Sequence, residues 1–392
     1  MRTVATTIVA GVLLLSVSAA VRAEEVAKFE VRFCPAAQVR TFPLESLRGV
    51  QSLLLQNVAI INHMAAAAEI TAIDLELWNG GTAIDTRRIT GTSLADVAGS
   101  GPKLQKSGML EAVAFQFCGK ALVADGVALA GPTLEAGQAM LISQQPFAWR
   151  GPRDSLVVRA HLRVEGKDIA VTGTIRIDSA VAKTRFRFPM NGRWFVAVGP
   201  TMHTGHRWVL PEEFAYDIAR LGQDDLSHRG SGARFEDYYA YAAPVLAAGD
   251  GVVTVAMDDQ PENPAALRRP GESLEKYGAR VQEIQAALLA KGVSGIAGNY
   301  IMIDHGNSEY SLYAHLKPGS VRVKVGDRVA AGTPLGKLGS SGNSTEPHLH
   351  FQVCDAGDAL ACAGIPVEFQ NVTLPFADYP RALQSGDVIV AN

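Results

Sequence analysis

The chain has 392 residues, of which 47% are hydrophobic and 19% charged, with 36 basic and 39 acidic side chains. The apolar share is too high, and the formal net charge of −3 too small, for an intrinsically disordered chain. The length favours two globular units, and the near balance of charge gives no indication of binding to nucleic acid or to an anionic membrane surface.

The first 23 residues have the pattern of a secretory signal peptide. Arg2 gives a positively charged start, residues 8–17 form an apolar core, and Val21-Arg22-Ala23 has the small-residue pattern of a cleavage site. No later segment is apolar for long enough to span a bilayer, and Cys34 lies too far from the cleavage site for lipid attachment there. We therefore expect an exported protein, periplasmic or secreted, without a membrane span.

Four cysteines follow this segment, and an even number in an exported chain favours disulfides. Zinc binding through cysteine is the weaker interpretation, because no C-x-x-C spacing occurs. Of the three possible connectivities, we favour Cys34 with Cys118 and Cys354 with Cys362, because each pair then stays within one predicted domain.

The first half of the chain shows the alternation typical of half-buried strands. Residues 73–77 alternate between apolar and polar up to a turn at Asn79-Gly80-Gly81. Residues 158–164 and 169–177 alternate in the same way and form a predicted hairpin. With frequent Gly and Pro turns and no convincing long helix, this pattern predicts a β-sandwich-like accessory domain over residues 24–182.

Seven of the nine histidines follow residue 200, and the sharpest cluster is His348-Leu349-His350. Residues two apart on a strand project from the same face, so both imidazoles point to one side while Leu349 faces the core with Phe351 and Val353. Two imidazoles on one face cost desolvation free energy unless something uses them, as a metal does.

A zinc ion needs three or four nitrogen or oxygen ligands, and an open position for water if it is catalytic. The upstream candidates are His203, His206 and Asp217. Asp217 lies in the strand-like run 214–218, where an acid is a poor core residue and a good ligand. The alternative is an aspartate that caps a turn at a strand end.

Five ordered motifs in the C-terminal half carry a family resemblance. They are Asn299–Gly306 (NYIMIDHG), Tyr313–Leu316 (YAHL), Val325–Gly332 (VGDRVAAG), Gly339–Ser344 (GSSGNS) and Pro347–Phe351 (PHLHF). Together they resemble the LytM/lysostaphin-type zinc endopeptidases of cell-wall peptidoglycan. The resemblance extends over roughly residues 185–375, and the first half shares no motif with that family.

The resemblance implies a mainly β chain whose second domain, residues 183–392, is a LytM-type antiparallel β-sheet peptidase. It implies zinc as the cofactor and the peptide of peptidoglycan as the substrate. The implied zinc ligands are His206, Asp217 and His350, and the implied catalytic residues beside the metal are His315 and His348.

The chain departs from the family pattern in two respects. Most members have the first histidine and the aspartate only a few residues apart, whereas eleven positions separate His206 from Asp217. We interpret this as the variant with an H-R pair and a later A-x-D strand, with His203 as the rival first ligand. Glu346 replaces the usual Gly and either attracts a cationic substrate group or is solvated. Two further histidines are interpreted as structural or solvated, His305 and His228.

An insertion at residues 258–298 interrupts the peptidase domain. Within it, apolar residues recur every three or four positions, which predicts an amphipathic helix. They are Leu274, Tyr277, Val281, Ile284 and Leu288. Two interpretations stay open: a helix packed on the domain edge, or a lid or docking site for a protein regulator beside the groove.

Three functions are compatible with these patterns. The favoured one is an exported zinc endopeptidase that hydrolyses peptide stems or cross-links of peptidoglycan. The second is a catalytically silent LytM-like module that binds and activates a cell-wall amidase, although such modules typically lose ligands that this chain keeps. The third is an exported binding protein with a structural zinc, which requires a fourth protein ligand, and His203 is the only obvious candidate.

Overall fold

The computed structural model describes residues 28–44 and 47–392, so the predicted signal peptide, residues 1–23, lies outside the described residues. The described part of the chain is mainly β, with 39% of the described residues in strands and 17% in helices, and its sheets are antiparallel. The predicted fold class is therefore confirmed. No helix in the described ranges is both long enough and apolar enough to cross a membrane.

The chain divides into two compact units. One comprises residues 28–39 together with Leu55–Asp178, and the other comprises Arg40–Leu54 together with Ser179–Asn392. The predicted domains, residues 24–182 and 183–392, are each contiguous, whereas this division groups Arg40–Leu54 with Ser179–Asn392. Packing explains it: the ring of Phe42 lies 6.0 Å from that of Phe214, a contact that no local pattern reveals.

The strands that precede Ser179 are β1 (Phe29–Cys34), β2 (Gln38–Pro43), β3 (Val50–Asn62), β4 (Ala68–Asn79), β5 (Thr82–Thr90), β6 (Thr133–Leu134), β7 (Ala139–Arg150), β8 (Ser155–Val164) and β9 (Lys167–Asp178). β8 pairs antiparallel with β4 on one side and with β9 on the other, which is the predicted hairpin. The predicted turn joins β4 to β5, with Gly80 and Gly81 both at positive φ. Cys34 and Cys118 form the first predicted disulfide, with their Cα atoms 5.9 Å apart.

The expectation that the first half has no long helix is wrong. The helix α1 (Gly91–Lys106) follows β5, and the short helix α2 (Met109–Ala112) follows α1. Glycines and an internal Pro102 give α1 a low intrinsic propensity, but packing outweighs it. A Cβ at Gly101 would lie 3.2 Å from the Leu141 side chain, so glycine permits close contact between α1 and β7.

The strands that follow Ser179 are β10 (Gly192–Val198), β11 (Tyr216–Ala219), β12 (Pro244–Leu246), β13 (Gly251–Ala256), β14 (Asn299–Asp304), β15 (Tyr310–Leu316), β16 (Arg328–Val329), β17 (Pro334–Lys337), β18 (Leu349–Cys354), β19 (Val372–Thr373) and β20 (Val388–Ala391). Nine of these strands form one sheet, called the large sheet below, in the order β16-β13-β14-β15-β18-β11-β10-β20-β19. β12 and β17 pair separately. One face of the large sheet packs on an aromatic core that includes Phe186, Tyr216, Tyr313 and Phe351.

The register of the large sheet brings the predicted site residues together. β18 lies between β11 and β15, and Asp217 on β11 is directly opposite His350 on β18. Ala314 on β15 faces His350 from the other side, so His315 follows at the strand end. Three residues that are far apart in sequence therefore meet near the middle of the sheet.

The insertion contains the predicted helix, α3 (Leu274–Leu289), and a short helix, α4 (Val293–Ala297). Ser273 caps α3, because its hydroxyl accepts a hydrogen bond from the Lys276 N–H at 3.3 Å. None of the side chains of α3 is fully buried. The end of α4 is held more firmly, because the carbonyl of Ile296 accepts a hydrogen bond from the Asn343 N–H at 2.8 Å.

Candidate metal centre and active site

Three side chains converge on one point above the large sheet. Asp217 Oδ1 accepts a hydrogen bond from His350 Nδ1 at 3.0 Å. Its other oxygen, Oδ2, lies 3.3 Å from Nε2 of His206, which begins a 3₁₀ turn at His206–Trp208. The nitrogen and oxygen donors of these three residues all lie within 4.8 Å of one another.

The donor set of His206, Asp217 and His350 fits zinc. Zinc is bound by imidazole nitrogen and carboxylate oxygen at about 2.0–2.2 Å, and a tetrahedral arrangement then spaces the donors by about 3.3–3.6 Å. The separations of 3.3 and 3.0 Å around Asp217 are close to that spacing. Two imidazoles and one carboxylate leave a fourth position for water, the composition of a catalytic rather than a closed site.

The electrostatics of the cluster favour a bound cation. Burial raises the pKa of the Asp217 carboxyl, but the charges of His206 and His348, with hydrogen bonds from His348 and His350, hold that pKa well below its usual range. Burial lowers the pKa of His350, yet its hydrogen bond to Asp217 and the charge of that carboxylate raise the pKa to about 9. Asp217 is therefore ionised and gathers positive charge around it.

Gln352, which sequence reasoning missed, orients His350. Its Oε1 accepts a hydrogen bond from His350 Nε2 at 2.8 Å. The amide oxygen cannot donate, so it fixes a proton on Nε2 and directs Nδ1 towards Asp217. The H-x-H-x-Q alternation on β18, which places Gln352 on the same face as His350, is the signal that could have identified it.

His315 stands at the end of β15 in a left-handed backbone conformation, with φ of +62°. This conformation is uncommon for a residue other than glycine and often marks a functional site. Its Nδ1 donates to the Ser341 carbonyl at 2.8 Å. Burial, together with the charges of His348 and His350, moves the pKa of His315 well below its usual value. His315 is therefore a neutral imidazole whose Nε2 has a free lone pair.

His348 precedes β18 and faces the same cluster. Its Nδ1 donates to the Glu346 carbonyl at 2.8 Å, and its Nε2 lies 3.4 Å from Asp217 Oδ1. Burial lowers the pKa of His348, but Asp217 more than offsets this, so the pKa lies above its usual value. The rings of His315 and His348 are 4.7 Å apart, which sets a proton acceptor beside a proton donor.

All five predicted site residues line one pocket with a volume of about 220 Å³. The insertion forms one wall of this pocket through Gln285, Val293, Ile296 and Ala297. Ala359 and Leu360, from the loop that the Cys354–Cys362 disulfide closes, also line the pocket. That disulfide is the second of the predicted pairs, with its Cα atoms 5.7 Å apart.

The other histidines lie elsewhere. His203, the rival first ligand, is exposed and is not among the three clustered donors. His305 donates or accepts through both nitrogens, at 2.7 Å from the Asp250 carbonyl and 2.7 Å from the Ser311 hydroxyl, as a structural residue does. His228 is half-buried and packs edge-on against Tyr238, so it is not simply a solvated loop residue.

Two glutamates lie near the pocket, Glu346 and Glu212, and only the one that the sequence patterns did not single out lines it. Glu346 accepts a hydrogen bond from the Ser227 hydroxyl at 3.0 Å and does not line the pocket. Glu212, which the sequence patterns did not single out, does line it and lies 3.8 Å from His206 Nε2. The long spacing between His206 and Asp217 is the signal that the intervening residues form part of the site.

That spacing is occupied by two 3₁₀ turns, His206–Trp208 and Leu210–Glu212. Arg207, which follows His206, is fully buried and pairs with Glu213 at 3.2 Å. The Arg207 guanidinium also lies 4.7 Å from the centre of the Phe214 ring. The buried pair holds the two turns together, so His206 reaches Asp217 despite the ten residues between them.

Comparison with known proteins identifies a family match in the part of the chain that carries three of these residues. Residues 232–362 match the profile of peptidase family M23, and the chain thus contains an M23 domain of the LytM type. His315, His348 and His350 lie inside the matched range, whereas His206 and Asp217 precede it.

Two curated relatives and one solved structure illustrate the range of similar proteins. The chain is 37% identical over 81 residues to the peptidoglycan DD-endopeptidase ShyA of Vibrio cholerae, covering 21% of this chain and 17% of that protein. It is 30% identical over 111 residues to the murein hydrolase activator EnvC of Escherichia coli, covering 23% and 26%. The match to each relative thus spans about a quarter of its length or less. The catalytic domain of lysostaphin from Staphylococcus simulans is 19% identical, with 44% of this chain and 88% of that chain covered and a TM-score of 0.25.

Proposed function

We propose that this protein is an exported zinc-dependent endopeptidase that hydrolyses peptide stems or cross-links of bacterial peptidoglycan. The observation that carries the proposal is the complete set of side chains at one pocket: three metal donors, His206, Asp217 and His350, beside His315 and His348. The M23 domain supports the reaction class, and relatives named as peptidoglycan endopeptidases support the substrate and a location in the cell envelope.

The chemistry divides between the metal and the two remaining histidines. When bound, zinc supplies Lewis acidity, which polarises a carbonyl oxygen and acidifies water. His315 takes the proton of the attacking water on Nε2, because its Nδ1 proton is committed to the Ser341 carbonyl. His348 hydrogen-bonds the developing oxyanion or returns a proton to the leaving amine.

A second candidate function is that of a protein that activates another cell-wall hydrolase. The similarity to EnvC, a murein hydrolase activator, supports it. A regulator or partner would then contact the insertion at residues 258–298, where α3 has an apolar stripe without a fully buried side chain. The complete donor set, with His315 and His348 beside it, favours hydrolysis, because an activator needs neither a metal nor a proton acceptor and donor at this pocket.

Digestion of purified sacculi with the mature chain tests the enzyme proposal. Wild type, His206→Ala and His203→Ala are compared for released peptides and for bound zinc. We expect wild type to hold zinc and release product, His206→Ala to lose both, and His203→Ala to keep both, because His203 lies outside the donor cluster.

Two outcomes discriminate the alternatives. A zinc-loaded wild type that releases no product, but stimulates a purified amidase on the same sacculi, identifies an activator. Loss of zinc in His203→Ala, with zinc retained in His206→Ala, assigns the first ligand to His203 and contradicts the geometry described above.

A further inference from the structure

Glu212 is the charged side chain of the pocket that the proposed reaction leaves unused. Apart from the five predicted residues and Glu212, the described residues that line the pocket carry amide, hydroxyl or apolar side chains, and none is lysine or arginine. Asp217 is committed to the metal donor set. Glu212 is therefore the carboxylate that remains to face a substrate.

The position of Glu212 places it beside the metal centre rather than within it. Its Oε2 is 3.8 Å from His206 Nε2, whereas the group of donors within 4.8 Å of one another comprises His206, Asp217 and His350. Its side chain is 22% exposed, so solvent screens it only in part. A substrate group bound to it would lie about one residue from a peptide bond held at the centre.

Buried neighbours hold Glu212 in this position. Pro211 and Glu213 on either side of it are buried, and Glu213 pairs with the fully buried Arg207. The backbone of Glu212 thus belongs to a packed turn, so its carboxylate is presented by a rigid support.

The wall contributed by the insertion and the disulfide loop complements this charge. Val293 and Ile296 line the pocket from the insertion, and Ala359 and Leu360 line it from the loop. Such a surface accommodates a small aliphatic side chain. The pocket therefore offers both apolar lining and one free carboxylate to a bound peptide.

We propose that Glu212 is a specificity-determining residue that binds the ammonium group of a diamino acid in the peptide. A carboxylate and an ammonium in a partly desolvated pocket form a charge-assisted hydrogen bond, which a neutral residue cannot replace. The chain then selects stems or cross-links that carry a free amine over neutral bridges such as oligoglycine. This inference rests on the proposed hydrolase activity.

Paired substrates test it. Peptide dimers released from sacculi are divided, and the free amines of one half are acetylated. We expect acetylation to lower the wild-type kcat/KM about 10- to 100-fold, the range of a charged hydrogen bond. Glu212→Gln should lower kcat/KM to a similar extent for the free-amine dimer and should no longer distinguish the two substrates, with zinc content unchanged.

Glu346→Gln is the matched control, because Glu346 is a half-buried acid near the pocket that does not line it. It should retain the wild-type preference for the free amine. Equal cleavage of both substrates by wild type overturns the inference and leaves the proposed function standing, as does an equal loss on both substrates in Glu212→Gln. Loss of zinc in Glu212→Gln would instead make Glu212 a metal ligand. Cleavage of neither substrate by zinc-loaded wild type overturns the proposed function itself.

Discussion

Arg207 and Glu213 form an ion pair at 3.2 Å in which the side chains are 0% and 8% exposed. The pair joins the residue after His206 to the residue after Glu212. In this short segment His206 and Glu212 line the pocket, whereas their neighbours Arg207 and Glu213 are buried in the interior. Residues 206–213 form only short 3₁₀ turns, and the buried Arg207–Glu213 pair is what fixes them so that His206 is positioned as a metal donor.

Breaking this pair should destabilise the protein strongly. Arg207→Met removes the cation that Glu213 faces in the buried segment, and Glu213→Gln removes the anion that Arg207 faces, with an expected loss of about 3–5 kcal/mol in the free energy of unfolding. Urea denaturation measures the loss. The double substitution Arg207→Met with Glu213→Leu should recover much of it, because no charge then remains buried. Single variants that each lose less than about 1 kcal/mol would contradict the role assigned to the pair.

Substitutions of His315 and His350 should have different effects, the first on turnover and the second on zinc binding. His315→Ala is expected to keep zinc and to lower kcat by at least about 10²-fold, because a general base typically contributes 10²–10⁴. His350→Ala should lose zinc, since it removes one of three donors. Bound zinc is measured by elemental analysis and turnover on purified peptide dimers. Zinc loss in His315→Ala would place His315 among the ligands.

Gln352 should control zinc affinity without contacting the metal. Gln352→Leu removes the acceptor of the His350 Nε2 proton, and loss of such a partner typically weakens metal binding 10- to 100-fold. Gln352→Glu keeps an acceptor and should restore the affinity. Competition with a chelator of known zinc affinity measures both variants. Equal affinity in Gln352→Leu and wild type would show that His350 needs no support from Gln352.

Gly342 is expected to be intolerant of a side chain. Its φ is +73°, and a Cβ there would meet the backbone nitrogen of Gly298 and the carbonyl oxygen of Ile296. Gly342→Ala should cost the left-handed penalty of about 1–2 kcal/mol and a further ~1–3 kcal/mol from the clash, with lower activity because the displaced loop carries Ser341.

Gly306→Ala is the control for that substitution. Gly306 has a similar φ of +75°, but nothing lies within 4 Å of a Cβ built on it. It should therefore show the conformational penalty alone. Thermal or urea denaturation of the two variants gives the comparison, and equal losses would mean that the contact with the insertion is easily relaxed.

Asp74 should make stability fall in acid. Arg88 hydrogen-bonds its carboxylate at 2.7 Å, and this contact with that of His161 outweighs burial and lowers the pKa of Asp74 to about 2. Because the folded pKa lies below the unfolded value of 3.8, the contribution is present above pH 3.8 and disappears as the pH falls towards 2. We expect it to be about 1–2 kcal/mol, reduced by the exposure of Arg88. Unfolding of wild type and Asp74→Asn should therefore differ at pH 6 and converge near pH 2, and a constant difference would contradict this.

Period-two alternation predicted the part of the site that lies on strands. It placed His348 and His350 on one face and set Asp217 against an apolar face, because each strand residue's side is determined by its neighbours in sequence. It could not predict that Asp217 lies directly opposite His350, since register depends on pairing between segments more than a hundred residues apart.

Loops and packing explain what was missed. The choice between His203 and His206 depends on two 3₁₀ turns and a buried ion pair, and neither has a periodic signal. Helix α1 escaped prediction because Gly99, Gly101 and Pro102 lower its propensity, while its stability comes from burial of residues such as Leu94 and Ala98. Glu212 has no motif and is recognisable only from the pocket it lines.

The assignment of Arg40–Leu54 to the second unit has a consequence for the order in which the chain is made. This segment emerges from the ribosome before Leu55–Asp178, whereas Ser179–Asn392, which it packs with, emerges last. The unit with the metal donors therefore cannot complete its sheet until β20 (Val388–Ala391), which pairs with β10, has been synthesised. The metal donors His206, Asp217 and His350 thus come together in a unit whose first segment must wait for the remainder of that unit to be synthesised.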